Sequence, residues 1–502
     1  MPMREYERDI VWLLPPSLGE LIPDVHPVRF VAVFVDQGNL HEIGIDWVPA
    51  VEGSPSYDRR MLLACWLYGF MTRVRSSRKI ELACAENVPF MWLTGMQRPD
   101  HSTLSRFYKK NRSCMRALFK KTVRLAIELG LVDFAVQAID GTKIGCLKLE
   151  GRLGRERIEE LLAKVDGEIA AMERGIVEEE ALSQDDVTQK VPKELKRKKE
   201  LREQIKAAVS KLDALEGGSE KRVEEGEQSG DKQSKEKEPK VSIVDPEAVM
   251  MKGRHGYTMG YNGQVGVDGE AWIIVGADVC NDPSDVEQLL PALEEIKENT
   301  GRLAEKTLAD GGYHSGNNLE RVAEQPTEMF MPDPQERRGA QAPEKWRYHK
   351  DNFIYDSGTD SFRCPEGRKV TYSYSRQGSG EGKPGSRAYR GRECSGCPAW
   401  GEGGCTKVKK GRILEISELD ERIREHRRKM RTEEARTLMR KRSGIVELVF
   451  GVMREQMGIV RFLLRGIENV RAEWRLACAA YNLRRIWKET WINRPKAIER
   501  VC

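Results

Sequence analysis

Three carboxylates in apolar surroundings are the residues best placed to do chemistry in this chain. Asp140 closes the run AVQAID, Asp310 closes KTLAD, and Glu447 stands inside GIVELVFG. The first two segments read as apolar strands that end on an aspartate, and the third as an amphipathic helix presenting a glutamate. Asp-Gly is also common turn chemistry, so the strand ahead of each aspartate is what separates these two from ordinary turn residues. Among Ile445, Val446, Leu448 and Val449 a carboxylate needs a partner to offset its desolvation, and a metal ion is one such partner. The alternative places Glu447 on the exposed stripe of its helix, with Arg454 seven residues on along the same face. Carboxylates held in this way can share two divalent metals, an arrangement that drives phosphodiester chemistry. Asp278, Asp282 and Asp285 are set aside, because Asp282 reads as a helix N-cap and Asp285 as the third residue after it, with Pro283 at the first position.

The elements that must hold these residues follow from periodicity. Residues 1–130 read as an all-helical N-terminal domain. Within it Arg59 to Arg73 shows one apolar face, and PDHSTLSRFYKKN precedes a long amphipathic helix from Met115 to Leu129. A short turn between two helices, with Ser102 or Thr103 available as a cap, resembles a helix-turn-helix. Its basic residues Arg106, Lys109, Lys110 and Arg112 point towards DNA contact. Residues 131–150 supply the first strand and Asp140. Residues 151–240 show apolar heptad spacing (Leu162, Val165, Ile169, Met172, Ile176, then Leu201, Ile205, Ala208, Leu212, Leu215) on either side of Pro192, the pattern of an antiparallel helical hairpin. Its end, from Gly217 to Lys240, is low-complexity and is expected to be a disordered linker. Strands and helices then alternate over 241–335, residues 336–412 are turn-rich, and 413–490 are helical. The expected class is α/β, a mixed sheet flanked by helices.

Four of the eleven cysteines cluster, as Cys364 in FRCPEG and Cys394, Cys397 and Cys405 in ECSGCPAWGEGGC. A C-x-x-C followed by a third cysteine suits a zinc knuckle, with Cys364 as fourth ligand and the metal stapling a segment that has little core of its own. Reduced thiols in a loop are the other reading.

Composition bounds the function. With 32% charged and 39% hydrophobic residues over 502 positions, the chain is long enough for several domains and too polar for a membrane protein. No run reaches the roughly 18 apolar residues of a spanning helix, and the N-terminus lacks a signal-peptide pattern, so a cytoplasmic location is expected. The net charge of +5 is too small to argue for nucleic acid, but Glu421 to Arg442 holds ten Lys and Arg against four Asp and Glu.

Taken in order, SYDRRMLLACWLYGF, AIDGTKI, YNGQVGVD, LADGGYH and IVELVFGVMREQMG resemble the DDE transposases of bacterial insertion sequences. The resemblance implies an RNase H-like core in which Asp140, Asp310 and Glu447 hold two Mg²⁺ ions, or Mn²⁺ in their place. It implies nicking at the element's ends and transfer of the resulting 3′-hydroxyl into target DNA, by a homo-oligomer on DNA. Related families carry a basic residue seven positions after the glutamate, which Arg454 matches, whereas Arg442 lies beside the position of their arginine. With Lys143, these complete the expected DNA contacts. A two-metal endonuclease without strand transfer and a domesticated, non-catalytic DNA-binding protein are the competing readings.

Overall fold

The computed structural model describes residues 16–45, 56–147, 152–182, 193–226, 239–253, 256–341, 343–378, 384–401 and 404–493. The N-terminus read for a signal peptide, Pro192, and residues 227–238 of the expected linker lie outside them. Six helices come first: α1 (Pro27–Gln37), α2 (Arg59–Met71), α3 (Ser77–Glu86), α4 (Val88–Leu93), α5 (His101–Asn111) and α6 (Met115–Glu128). Asp58, Ser76, Asn87 and Asp100 start four of them by accepting a first-turn N–H, which satisfies donors the helix itself cannot. Asp100, rather than Ser102 or Thr103, therefore caps α5. Burial in α2 runs unbroken from Leu62 to Met71, so its expected single apolar face is too narrow a reading.

Next comes β1 (Val136–Leu147), a longer strand than its apolar run suggests. Two short strands, β2 (Arg152–Leu153) and β3 (Val241–Ser242), pair at the base of the insertion formed by α7 (Arg155–Leu182) and α8 (Lys193–Gly226). These helices run antiparallel: Arg155 bridges to Asp213 and Glu216, Glu168 to Lys198, and Glu173 to Lys199. Ile158, Val165, Ile169, Leu195, Ile205, Ala208 and Leu212, with Val241 and Ile243, form a core separate from that of the sheet. Leu215, read as a heptad position, is exposed, and α8 extends through Gly217–Gly226, which had been assigned to the linker.

The main sheet continues with β4 (Val249–Gly253), β5 (Gly256–Asp268), β6 (Ile274–Cys280), α9 (Leu289–Thr300), β7 (Lys306–Ala309), α10 (Gly316–Val322) and β8 (Glu328–Phe330). β1, β7 and β8 are parallel neighbours. β5 lies antiparallel on the other side of β1, and β4 and β6 share the far edge of β5. This mixed sheet flanked by helices is consistent with an RNase H-like core.

After two short helices, α11 (Pro334–Gln341) and α12 (Pro343–Trp346), the cysteine-bearing segment builds a second sheet. It is a sequential antiparallel meander of β9 (Ile354–Asp356), β10 (Ser361–Arg363), β11 (Lys369–Arg376), β12 (Ser386–Arg390) and β13 (Ile413–Ser417). Phe353, Phe362, Val370, Tyr389 and Leu414 form its small core, more structure than turn-rich composition suggested.

Three helices finish the chain: α13 (Asp420–Met430), α14 (Glu433–Gly451) and α15 (Ile467–Trp487). α15 packs on α2, α6 and β6, so the N-terminal helices and the sheet share one continuous core. Inside it Asn482 accepts from Ile274 N (2.9 Å) and donates to Ile274 O (2.8 Å) and to Thr122 Oγ1 (3.3 Å). No described helix is long and apolar enough to cross a membrane.

Candidate active site

Parallel pairing of β1 with β7 ends at Ile139 opposite Ala309. The next residue on each strand is one of the two aspartates, so Asp140 and Asp310 emerge side by side. Asp310 follows its strand as expected. Asp140 does not end one: β1 runs on past it to Leu147, held by β5 and by a bridge from Gly145 to Arg461. Asp140 Oδ1 accepts from Gly141 N (2.9 Å), and Asp310 Oδ1 from Gly312 N (2.7 Å), so each carboxylate is braced on the backbone that follows it.

Between them sits Arg442. Its Nη1 is 3.6 Å from Asp140 Oδ2, and its Nη2 is 3.9 Å from Asp310 Oδ2. Arg442 belongs to α14, which packs across β1 and β7. Thr432 caps that helix and it continues straight through Ser443-Gly444, where a helix start had been a possible reading. Burial pushes the Asp140 carboxyl up to about 6; the Arg442 guanidinium pulls it down, and the Asp310 charge opposes ionisation. The enclosed Asp140 and the more open Asp310 carboxylates converge on one cation and suit a divalent metal by donor type, since hard oxygen ligands favour Mg²⁺.

Glu447 stands differently. The buried face of α14 is Ile445, Val446, Val449 and Phe450, and Glu447 is turned to the exposed side. Of the two placements open for Glu447, the structure has the one on the exposed stripe of its helix, away from Ile445, Val446, Val449 and Phe450. Among the described residues no three His, Cys, Asp or Glu side chains are gathered closely enough to hold a metal ion. Thus Asp140 and Asp310 converge, and Glu447 shares the helix of their bridging arginine without joining them.

Arg454 lies in the π-helical turn Val452–Gln456 that follows α14 and donates through Nη2 to Thr142 Oγ1 (2.5 Å). Thr142 is two residues beyond Asp140, hence on the same face of β1. Lys143 projects from the opposite face and bridges to Asp285 Oδ1 (2.9 Å), so the free phosphate contact expected of it is corrected to a structural pairing. On α5, Arg106, Lys109 and Lys110 are exposed, Arg106 bonding back to Ser102 O and Thr103 Oγ1. α6 packs one face against α15, β6 and α9, while Arg116, Arg124 and Glu128 on its other face are exposed.

Asp285 is the residue that sequence reasoning misplaced. It makes no side-chain cap to the 3₁₀ turn Val286–Gln288, and α9 starts only at Leu289. Its Oδ1 instead accepts from Asn262 Nδ2 (2.6 Å), Gln264 Nε2 (2.9 Å) and Lys143. A signal was present in YNGQVGVD: two amides two residues apart in an apolar strand share one face and require polar partners there.

Cys364, Cys394, Cys397 and Cys405 line one cavity with Tyr348, Phe353 and Arg412. Arg368 N donates to Cys364 Sγ (3.3 Å), and Arg412 N to Cys394 Sγ (3.4 Å). Burial pushes the Cys405 thiol up; Arg412 pulls it back, and the other three thiols raise it.

Two segments match known families. Residues 16–110 match a transposase domain (DUF772), and residues 363–487 match a transposase DDE domain that takes in the cysteines, Arg442, Glu447 and Arg454. No curated protein and no solved structure matches the chain.

Proposed function

We propose that this chain, a DDE-type transposase of the insertion-sequence kind and so a metal-dependent nuclease and transposase enzyme, nicks DNA at the ends of its element and joins the freed 3′-hydroxyl to target DNA. The observation that carries this reading is the side-by-side emergence of Asp140 and Asp310 beyond the β1–β7 pairing, both facing one cation. Both reactions are in-line displacements on phosphorus, so one pair of carboxylates serves for each.

Asp140 and Asp310 would hold Mg²⁺, and Glu447, on the exposed side of α14, would have to turn in towards them to serve as the third ligand. When bound, Mg²⁺ supplies Lewis-acid activation of water or of a 3′-hydroxyl and offsets charge at phosphorus. Arg442 favours the ionised form of Asp140 until then, and is within reach of a phosphate that approaches the pair. Arg454, fixed on Thr142, offers a second cation on the same face. Exposed Arg106, Lys109 and Lys110 on α5 would contact DNA outside the site, which makes binding salt-dependent. Bringing two element ends together calls for two or more copies of the chain on DNA.

The cysteine cavity would hold a structural Zn²⁺ if its thiols drew closer together than they stand here, where no three of them are gathered tightly enough for a metal. Four sulfurs share it, and N–H groups already bond two of them. Metal analysis of the purified protein should give one zinc per chain, and loss of zinc should unfold the second sheet; a zinc-free, folded meander would refute this assignment.

The central test incubates purified protein with matched element-end DNA and Mg²⁺, alongside Asp310→Asn. Strand transfer that disappears in the variant supports the proposal. Nicking without joining would indicate an endonuclease, and binding with neither step a non-catalytic DNA-binding protein.

A further inference from the structure

We propose that Asp285 is a positioning residue that clamps, from behind the sheet, the two backbone segments carrying Asp140 and Asp310. The proposal rests on the reading of those aspartates as the metal-binding pair. Its basis is where the Asp285 carboxylate goes. A Cβ on Gly141, the residue after Asp140, would lie 2.7 Å from Asp285 Oδ1, 2.5 Å from Gln264 Nε2 and 2.8 Å from Asn262 Oδ1. A Cβ on Gly312, two residues after Asp310, would lie 3.5 Å from Asp285 Oδ2. One carboxylate is therefore pressed against the main chain at Gly141, where only a glycine admits it, and comes within van der Waals reach of Gly312, whose Cβ position lies closer still, 2.8 Å, to Asp310 Oδ1.

The donors around it tie the same two segments together. Gly141 faces Gln264, and Lys143 faces Asn262, across the antiparallel β1–β5 pairing. All four thus lie on one face of the sheet, opposite the face that bears Asp140 and Thr142. Asp285 is accordingly a support and not a ligand. From Gln264 the network passes to the other segment: Tyr313, fully buried in the turn after Asp310, donates its hydroxyl to Gln264 Oε1. The Asp285 and Lys143 side chains are 19% and 16% exposed. A carboxylate this enclosed is tolerated because it is paired and hydrogen-bonded, and its removal strands the Lys143 ammonium and the Gln264 amide, while the Asn262 amide keeps Asp282 O (3.3 Å).

Supports behind ligands set how well the ligands converge on a metal, and losing one typically weakens binding by about 10- to 100-fold. The test is Mn²⁺ titration calorimetry on the full-length protein, wild type against Asp285→Ala, Asp285→Asn and Asp310→Asn, with DNA affinity in EDTA measured alongside. Asp285→Ala should weaken Mn²⁺ binding by about 10-fold or more with DNA affinity unchanged, and Asp285→Asn, equal in shape but uncharged, should fall between it and wild type. Wild-type Mn²⁺ affinity in a folded Asp285→Ala overturns the proposal. Should the alanine variant not fold, wild-type affinity in Asp285→Asn overturns it equally. Unchanged binding in Asp310→Asn refutes the metal-pair reading instead, and this inference with it.

Discussion

Arg442 holds the place between Asp140 and Asp310 that a metal would need, and its guanidinium is largely enclosed. Arginine and metal therefore compete for the same two carboxylates. Replacing Arg442 with Met should tighten Mn²⁺ binding by a few-fold in titration calorimetry while slowing strand cleavage, because the phosphate loses a cation. Unchanged or weaker metal binding would show that the arginine organises the pair and does not compete for it. Gly141 is the second sensitive position. Gly141→Ala forces a methyl into the Asp285 carboxylate and the Gln264 amide, overpacking that costs about 1–3 kcal/mol, to be read from urea unfolding. At this scale the sequence was legible where an aspartate follows an apolar run. It left two placements open for Glu447, which is flanked by Val446 and Leu448 in the chain yet turned outward by helix geometry. It misled at Asp285, whose partners come from β1 and β5, 142 and 21–23 residues away.

Among the elements, α13 should dock in a pH-dependent way. His426 is buried and bonds through Nε2 to Met331 O (2.9 Å), while Arg427 is paired with Asp333 and Asp351. Burial lowers the His426 pKa to about 4, with Lys429 and His314 adding to the depression and Asp333 opposing it. The unfolded chain, with histidine near 6.5, takes up its proton first as pH falls, so this residue withdraws stability between about pH 6.5 and 4. Urea midpoints at pH 7, 5.5 and 4.5 should fall for the wild type and fall less for His426→Gln; parallel declines would assign the acid sensitivity elsewhere. Ser315 and Thr432 cap α10 and α14, in keeping with the general preference for short hydroxyl side chains at helix starts. The strand order β13 to β9 of the second sheet could not be read from cysteine spacing, since its short strands carry few apolar residues and their pairing depends on connections between them.

For the whole molecule, the hairpin core and the main core have different consequences. The α7–α8 hairpin buries its own residues and joins the rest through the short β2–β3 pair. Replacing residues 154–239 by a short glycine linker should leave the main calorimetric transition of the protein in place; its disappearance would mean that the hairpin supports the sheet. The N-terminal helices are the opposite case. Their separateness, expected from helical composition over residues 1–130, dissolves in contacts with α15, more than 300 residues further along the chain, which no local pattern announces. Asn482→Leu removes the amide that joins β6 to α6 through Ile274 and Thr122 and should destabilise by about 1–3 kcal/mol per polar group left unsatisfied, again measurable in urea.

That late helix also sets the timing of folding. α2 and α6 leave the ribosome early, but α15, which covers both, is made only after residue 466. At about 5–20 residues per second, their apolar faces wait on the order of half a minute for a cover. The nascent chain must spend that interval guarded against aggregation, and the sheet cannot settle on its helices until synthesis is nearly over.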